Sequence, residues 1–257
     1  MPFFKFDDRL IYYAHVPKCG GTSVAYYLNA RFGALAFQDN TYFQRPESHR
    51  WTRSSAQHVD AATLEHLIPL SFFSAVFTIV RHPVSRIVST YHFQLEVEKS
   101  IPESTSFGDW LKGLEAQYAM SPFSYDNHAR PMSDIVPEGA TVFHMEHGLD
   151  SLVLWFDSLT GRKDGPRAII PENTRGQYVK NAVQGRVKPS DAELDLIGQI
   201  YAEDFKRFGY NLGDKAPKAA APVFDETFLT ERDKALIDAQ KPVARLKRKI
   251  KQKLRKL

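Results

Sequence analysis

A short apolar run at residues 10–16 leads into Pro17-Lys18-Cys19-Gly20-Gly21-Thr22-Ser23, and then into Val24, Tyr27, Leu28 and Phe32 at helical spacing. This order of strand, glycine turn and helix constrains the fold more than any other feature of the chain. A strand covered on both faces reads as a continuous apolar run, and a helix that follows it carries the chain back to a parallel neighbour. The turn also has a chemistry of its own. Backbone N–H groups at a helix N-terminus make a positive field where an anion can sit. Gly20 and Gly21 let the backbone come close, Lys18 adds a cation, and Thr22 and Ser23 add hydroxyl donors. The lysine precedes the glycines, so the G-x-x-x-x-G-K-[ST] order of the nucleoside triphosphate loop is absent.

Residues 74–80 are apolar and rich in β-formers, which predicts a second strand ending at Arg81-His82-Pro83. Pro83 suits the first turn of a helix expected over about 84–98. A third strand is expected near 141–145, with helices near 61–67, 107–118 and 149–159. Ser190 caps a helical stretch to about 208, with Glu193 completing a capping box. Residues 36–57 and 161–189 read as loops. Strands alternating with helices predict a three-layer α/β domain around a central parallel sheet with right-handed crossovers. The expected division is a domain at 1–213, a linker rich in Ala, Pro and Lys at 214–225, and a helical basic tail at 226–257.

The 257 residues are 43% hydrophobic and 25% charged, enough for one sizeable core. The net charge of +4 is unevenly spread. Residues 241–257 hold nine Lys or Arg and no acid, and residues 1–240 hold 25 cations against 30 acids. A nucleic-acid footprint over the body is therefore excluded. In the tail, Val243, Leu246, Ile250, Leu254 and Leu257 recur at three- and four-residue steps, the pattern of a basic amphipathic helix. Such a helix suits an anionic membrane surface or a polyanionic acceptor. The lone Cys19 allows no internal disulfide and fits a reducing compartment. With no leader-like segment and no long apolar run, the expectation is a cytoplasmic protein, peripheral to a membrane if the tail binds one.

His15-Val16-Pro17-Lys18-Cys19-Gly20-Gly21-Thr22-Ser23 resembles the 5′-phosphosulfate loop of sulfotransferases that use 3′-phosphoadenosine 5′-phosphosulfate (PAPS). It is most similar to the carbohydrate branch, the heparan and chondroitin type. Arg81-His82-Pro83-Val84-Ser85-Arg86-Ile87-Val88-Ser89-Thr90-Tyr91 is similar to the same family's 3′-phosphate element, with His82 where Asp is usual. The resemblance implies a P-loop-like fold and PAPS as co-substrate. It assigns Pro17, Lys18, Cys19, Gly20, Gly21, Thr22, Ser23, Arg81 and Ser89 to the donor, with Lys18 also acting on the bridging oxygen. Arg86 reads either as part of the element or as a surface ion-pair partner. Two further segments, Glu172-Asn173-Thr174-Arg175 and Asp204-Phe205-Lys206-Arg207-Phe208-Gly209-Tyr210, are similar to later family segments; the aromatics of the second read as core, with Gly209 as a helix stop.

Removal of the acceptor's proton calls for a base, and His58 is the first choice because it lies between the two donor motifs, where related heparan enzymes place theirs. His49, His66 and His128 are rivals, and His15 suits a role in orienting the loop. Asp126-Asn127-His128-Ala129-Arg130-Pro131 resembles an acceptor-side segment, which implies that His128 and Arg130 meet the acceptor. No carboxylate is evident beside Lys18 and Arg81, so a metal-free anion site is expected and no metal is assigned. The implied reaction moves a sulfuryl group to a hydroxyl of a carbohydrate or glycolipid. The alternatives are an ATP-dependent kinase-like phosphotransferase and a non-catalytic membrane- or polyanion-binding protein.

Overall fold

A computed structural model describes residues 2–172 and 185–254, with the side chains of residues 249 and 251–254 outside the description. Four strands form one sheet in the order β1 (Phe3–Phe6), β2 (Arg9–Ala14), β3 (Ala75–Val80) and β4 (Thr141–His144). β2, β3 and β4 are parallel, with Tyr13 opposite Phe77 and Phe77 opposite Thr141. The sheet is not wholly parallel, however, because β1 pairs antiparallel with β2 across the turn at Asp7-Asp8. A four-residue strand on a two-residue turn carries too little pattern to be read from the sequence alone.

Period-two alternation divides the sheet's side chains between two faces. Ile11, Tyr13, Phe77 and Ile79 join the main core, where α1 (Gly21–Phe32) contributes Val24, Tyr27 and Leu28. Tyr12 and Ala14 face the other way, against Leu64 of α2 (Ala61–Leu67). A further cluster joins α3 (Pro83–Phe93) to α4 (Phe107–Met120) through Ile87, Tyr91, Trp110 and Leu114. The helix expected over 84–98 is two elements. α3 stops at Phe93 and a wider π turn follows over Gln94–Glu98, a local feature often found at functional sites.

α5 (Met132–Ile135) is a single turn, and α6 (Asp150–Thr160) adds Leu152, Val153 and Phe156 to the main core. The stretch from Ser190 divides at Tyr201 into α7 (Asp191–Ile200) and α8 (Ala202–Arg207), and its capping box is formed by Ser190 and Glu193. Helix α9 (Glu226–Gln240) packs on the body: Phe228 is buried in the main core, Arg232 pairs with Asp150 at 3.1 Å, and Glu231 with Arg167 at 2.7 Å. α10 (Pro242–Leu254) follows directly. Among the described residues no helix is long and apolar enough to cross a membrane.

Candidate active site

The C-terminal ends of β2 and β3 open into one cleft of ≈ 1350 Å³. Open α/β sheets bind ligands at the carboxyl ends of their strands, where helix N-termini converge. Lys18, Gly20, Gly21, Thr22 and Ser23 line this cleft from the β2 side, and Arg81, Ser85 and Ser89 line it from the β3 side. The two motifs therefore share a single cavity, and Arg81 Nη1 donates to the Lys18 carbonyl at 3.2 Å.

The glycine turn is held in a conformation that few residues tolerate. Lys18 and Gly20 both have left-handed backbones, at φ 67° and 78°. Gly21 has a different constraint. A Cβ there would stand 1.7 Å from His15 Nε2, so the imidazole occupies the space a side chain would need. No side chain caps α1, and its first turn carries no acid, which leaves the positive helix end facing the cleft. Ser23 Oγ accepts the Glu172 amide at 2.8 Å while lining the cavity. Cys19 differs from its neighbours: its thiol is wholly buried in the core, where burial pushes it up to about 12, and only its backbone belongs to the turn. Pro17 lines the cavity and its carbonyl accepts Arg86 Nε at 3.2 Å.

The Lys18 ammonium stacks 3.6 Å from the Phe93 ring centroid. Burial, and then the neighbouring Arg81 charge, bring it down to about 7. An anion arriving in the cleft would reverse both effects, because it supplies the negative charge that the buried lysine lacks.

His58 and His128 also line the cavity, whereas His49 and His66 do not. His58 Nδ1 meets Asp126 Oδ2 at 2.6 Å, and the Ser55 hydroxyl donates to the same oxygen at 2.7 Å. The Ser55 amide donates to the other carboxylate oxygen at 2.5 Å. Burial works against the Asp126 charge, but attraction to His58 and the bonds from His58 and the Ser55 amide outweigh it and hold the carboxyl down at about 2. Asn127 donates to the His58 carbonyl at 2.8 Å, so the histidine is gripped at ring and backbone. Tyr125, Asp126 and Asn127 are all left-handed, at φ 54°, 52° and 61°. Three such residues in succession store strain, which is characteristic of segments that aim functional side chains.

Asp126 corrects the expectation of a site without carboxylates. Glu98, on the π turn, is another acid in the cleft, and burial, followed by repulsion from Asp126, raises its carboxyl. Arg186 adds a third cation beside Lys18 and Arg81. None of the three was assigned from the sequence, since each is brought to the site by long-range packing. Ligand atoms of His58, Asp126 and His128 lie within 4.8 Å of one another, the one grouping among the described residues that could hold a metal ion. Two imidazoles and one carboxylate would suit a borderline metal better than Mg²⁺, which prefers oxygen ligands.

His128 accepts Gln94 Nε2 at 3.1 Å, and burial, with the nearby His58, pushes its imidazole well below the ordinary range. The same causes act on His15, whose ring lies 4.9 Å from that of His58. Both rings are therefore neutral. Arg130 is placed elsewhere: its guanidinium pairs with Asp60 and Asp134 at 3.3 and 3.2 Å, outside the cavity lining. Nor is Arg86 a surface residue. It is 1% exposed and donates to the carbonyls of Pro17, His128 and Arg130, tying the glycine turn to the segment at 128–130. His82 is buried, with its amide on Glu146 and its ring on the Asn211 carbonyl. In the closing segment, Asp204 caps α5, Tyr210 donates to Glu146 at 2.8 Å, and Gly209 is left-handed at φ 67°. Asn173, Thr174 and Arg175 lie outside the described residues.

No curated protein and no solved structure matches the chain. A family model described as the sulfotransferase family matches residues 1–211, most of the 257. The chain belongs to the sulfotransferase family.

Proposed function

We propose that the cleft moves a sulfuryl group from PAPS to a hydroxyl of a carbohydrate or glycolipid acceptor. The observation that carries this reading is the opposition of two unlike halves in one cavity. Lys18, Arg81 and the open end of α1 favour a doubly anionic donor, and the His58–Asp126 pair suits removal of a hydroxyl proton. PAPS supplies an activated sulfuryl group, whose bond to the 5′-phosphate breaks as the acceptor oxygen attacks sulfur.

The chain's own groups have distinct tasks. With Nδ1 held by Asp126, His58 has Nε2 left to take the acceptor proton, and the carboxylate stabilises the imidazolium that results. Lys18 neutralises charge on the oxygen that leaves sulfur. Arg81 supplies a guanidinium fork for the 3′-phosphate, with Ser89 on the same helix face as Ser85 beside it. Gln94 orients the neutral His128, which borders the acceptor. The third cation, Arg186, extends the positive wall.

The decisive experiment pairs turnover with calorimetry. His58→Ala should abolish sulfuryl transfer while 3′-phosphoadenosine 5′-phosphate still binds, with equal affinity in EDTA and in Mg²⁺. Near-normal turnover by the variant, or nucleotide binding that requires Mg²⁺, would overturn the reading and favour a kinase-like enzyme.

A further inference from the structure

The structure also offers a surface that sulfuryl transfer does not use. Among its described side chains, α10 rests on its neighbours through one side. Ala244 and Arg248, four residues apart, are partly buried, and Arg248 donates to the Ala239 carbonyl at 2.6 Å and to Glu172 at 3.4 Å. Val243, Leu246 and Ile250 follow a different stripe and are 66%, 59% and 50% exposed. At about 100° per residue, that stripe lies on the side of the helix turned away from Ala244 and Arg248. Lys247 borders it on one flank, and Lys253 stands on the other by sequence position. The helix carries six cations and no acid over 242–254. Ile237 of α9, 64% exposed, adds apolar surface to the same helical pair.

We infer that α10 docks the protein on an anionic lipid bilayer, its apolar stripe entering the headgroup boundary and its lysines pairing with lipid phosphates. Two features select a bilayer as the occupant. Cations alone would suit a sulfated or carboxylated glycan equally well, but a glycan gives no reason for three exposed aliphatic side chains in register. A protein groove would accept the aliphatic stripe, but the flanking lysines on both sides match the headgroup layer into which an interfacial helix settles. Charge and apolar pattern thus point to one partner.

Docking also has a consequence for the acceptor, and that consequence alone rests on the sulfotransfer reading. Glu172, the partner of Arg248, lines the cleft, and so does Leu236 of α9. A bilayer on the outer side of α10 would lie about one helix diameter, roughly 10 Å, from the Arg248–Glu172 pair at the edge of the cavity, so hydroxyls carried on lipid headgroups would be near acceptors.

The test is co-sedimentation of the full chain with vesicles of phosphatidylcholine alone, or with one-fifth phosphatidylserine, in 0.1 M salt. The chain should pellet with the anionic vesicles at least tenfold more strongly than with the neutral ones. The triple variant Val243→Ser, Leu246→Ser, Ile250→Ser should lose that binding by tenfold or more and keep its retention on heparin. Its nucleotide affinity, measured by calorimetry, should equal that of the unaltered chain and so report intact folding. Failure to pellet with anionic vesicles, binding undiminished in the triple variant, or an equal loss of heparin retention would each overturn the proposal. Vesicle binding by a chain that does not bind 3′-phosphoadenosine 5′-phosphate would uphold the docking surface and refute the sulfotransfer reading separately.

Discussion

Replacing Asp126 with Asn tests how much of the chemistry depends on the residue behind His58. The carboxyl is held at about 2 against an ordinary 3.8, and it reaches that value despite burial, which opposes it. That lowering corresponds to on the order of 2 kcal/mol of net preference for the charged form. If a comparable stabilisation acts on the imidazolium in the transition state, losing it costs about 30-fold in kcat. The tautomer adds to this. An asparagine can present its amide N–H to Nδ1, which leaves Nε2 carrying the proton and unable to accept one, an error worth up to about 10⁴ in related dyads. The assay is steady-state sulfuryl transfer at pH 7.5 with donor and acceptor varied in turn, beside calorimetry with 3′-phosphoadenosine 5′-phosphate. Expected are a kcat lowered by about 30-fold or more, a donor KM within about twofold, and unchanged nucleotide affinity. A kcat within about fivefold of the unaltered enzyme would refute the reasoning, as would a defect confined to KM. Because the Ser55 hydroxyl also loses its acceptor, thermal denaturation must show the variant folded at the assay temperature.

The Lys18 ammonium, brought down to about 7, is largely neutral in the free protein at pH 8, so nucleotide binding should draw in a proton. Calorimetry at pH 8 in Tris and in HEPES should give binding enthalpies that differ in proportion to the buffers' ionisation enthalpies, and equal enthalpies would exclude it. The same lysine binds fewer protons folded than unfolded between about pH 7 and 10.5, so its contribution to stability rises with pH over that window, which denaturant titration of Lys18→Met against the unaltered chain can read. Gly21→Ala should drive His15 from its place, lowering stability by about 1–3 kcal/mol and nucleotide affinity with it; a variant with unaltered melting would contradict the close approach. Arg86→Met keeps roughly the volume but strips the Pro17 and Arg130 carbonyls of their donor and leaves the His128 carbonyl with Thr90 alone, with an expected loss of about 2 kcal/mol or more in urea unfolding.

The two motifs that line the cleft were legible in the sequence because their residues are local. Lys18 and the glycines fall within one turn, and Arg81 and Ser89 lie eight residues apart on one strand-helix junction, so adjacency alone ties each group to its motif. The three parallel strands were legible for the same reason, as apolar runs bounded by turns. Tertiary structure decided what sequence distance hides. His58 and Asp126 are 68 residues apart, and nothing in either neighbourhood announces their bond. Arg86 has the spacing of a helix-surface cation, yet the packing of α3 against two loops buries it among carbonyls. Arg130 and His128 stand two residues apart in one segment, but the left-handed run at Tyr125 to Asn127 turns His128 to the cleft while Asp60 and Asp134 hold Arg130 outside it. Local backbone preference and motif order can be read along a chain, whereas the partner of a buried charge is selected by whichever distant segment the core brings within hydrogen-bonding reach.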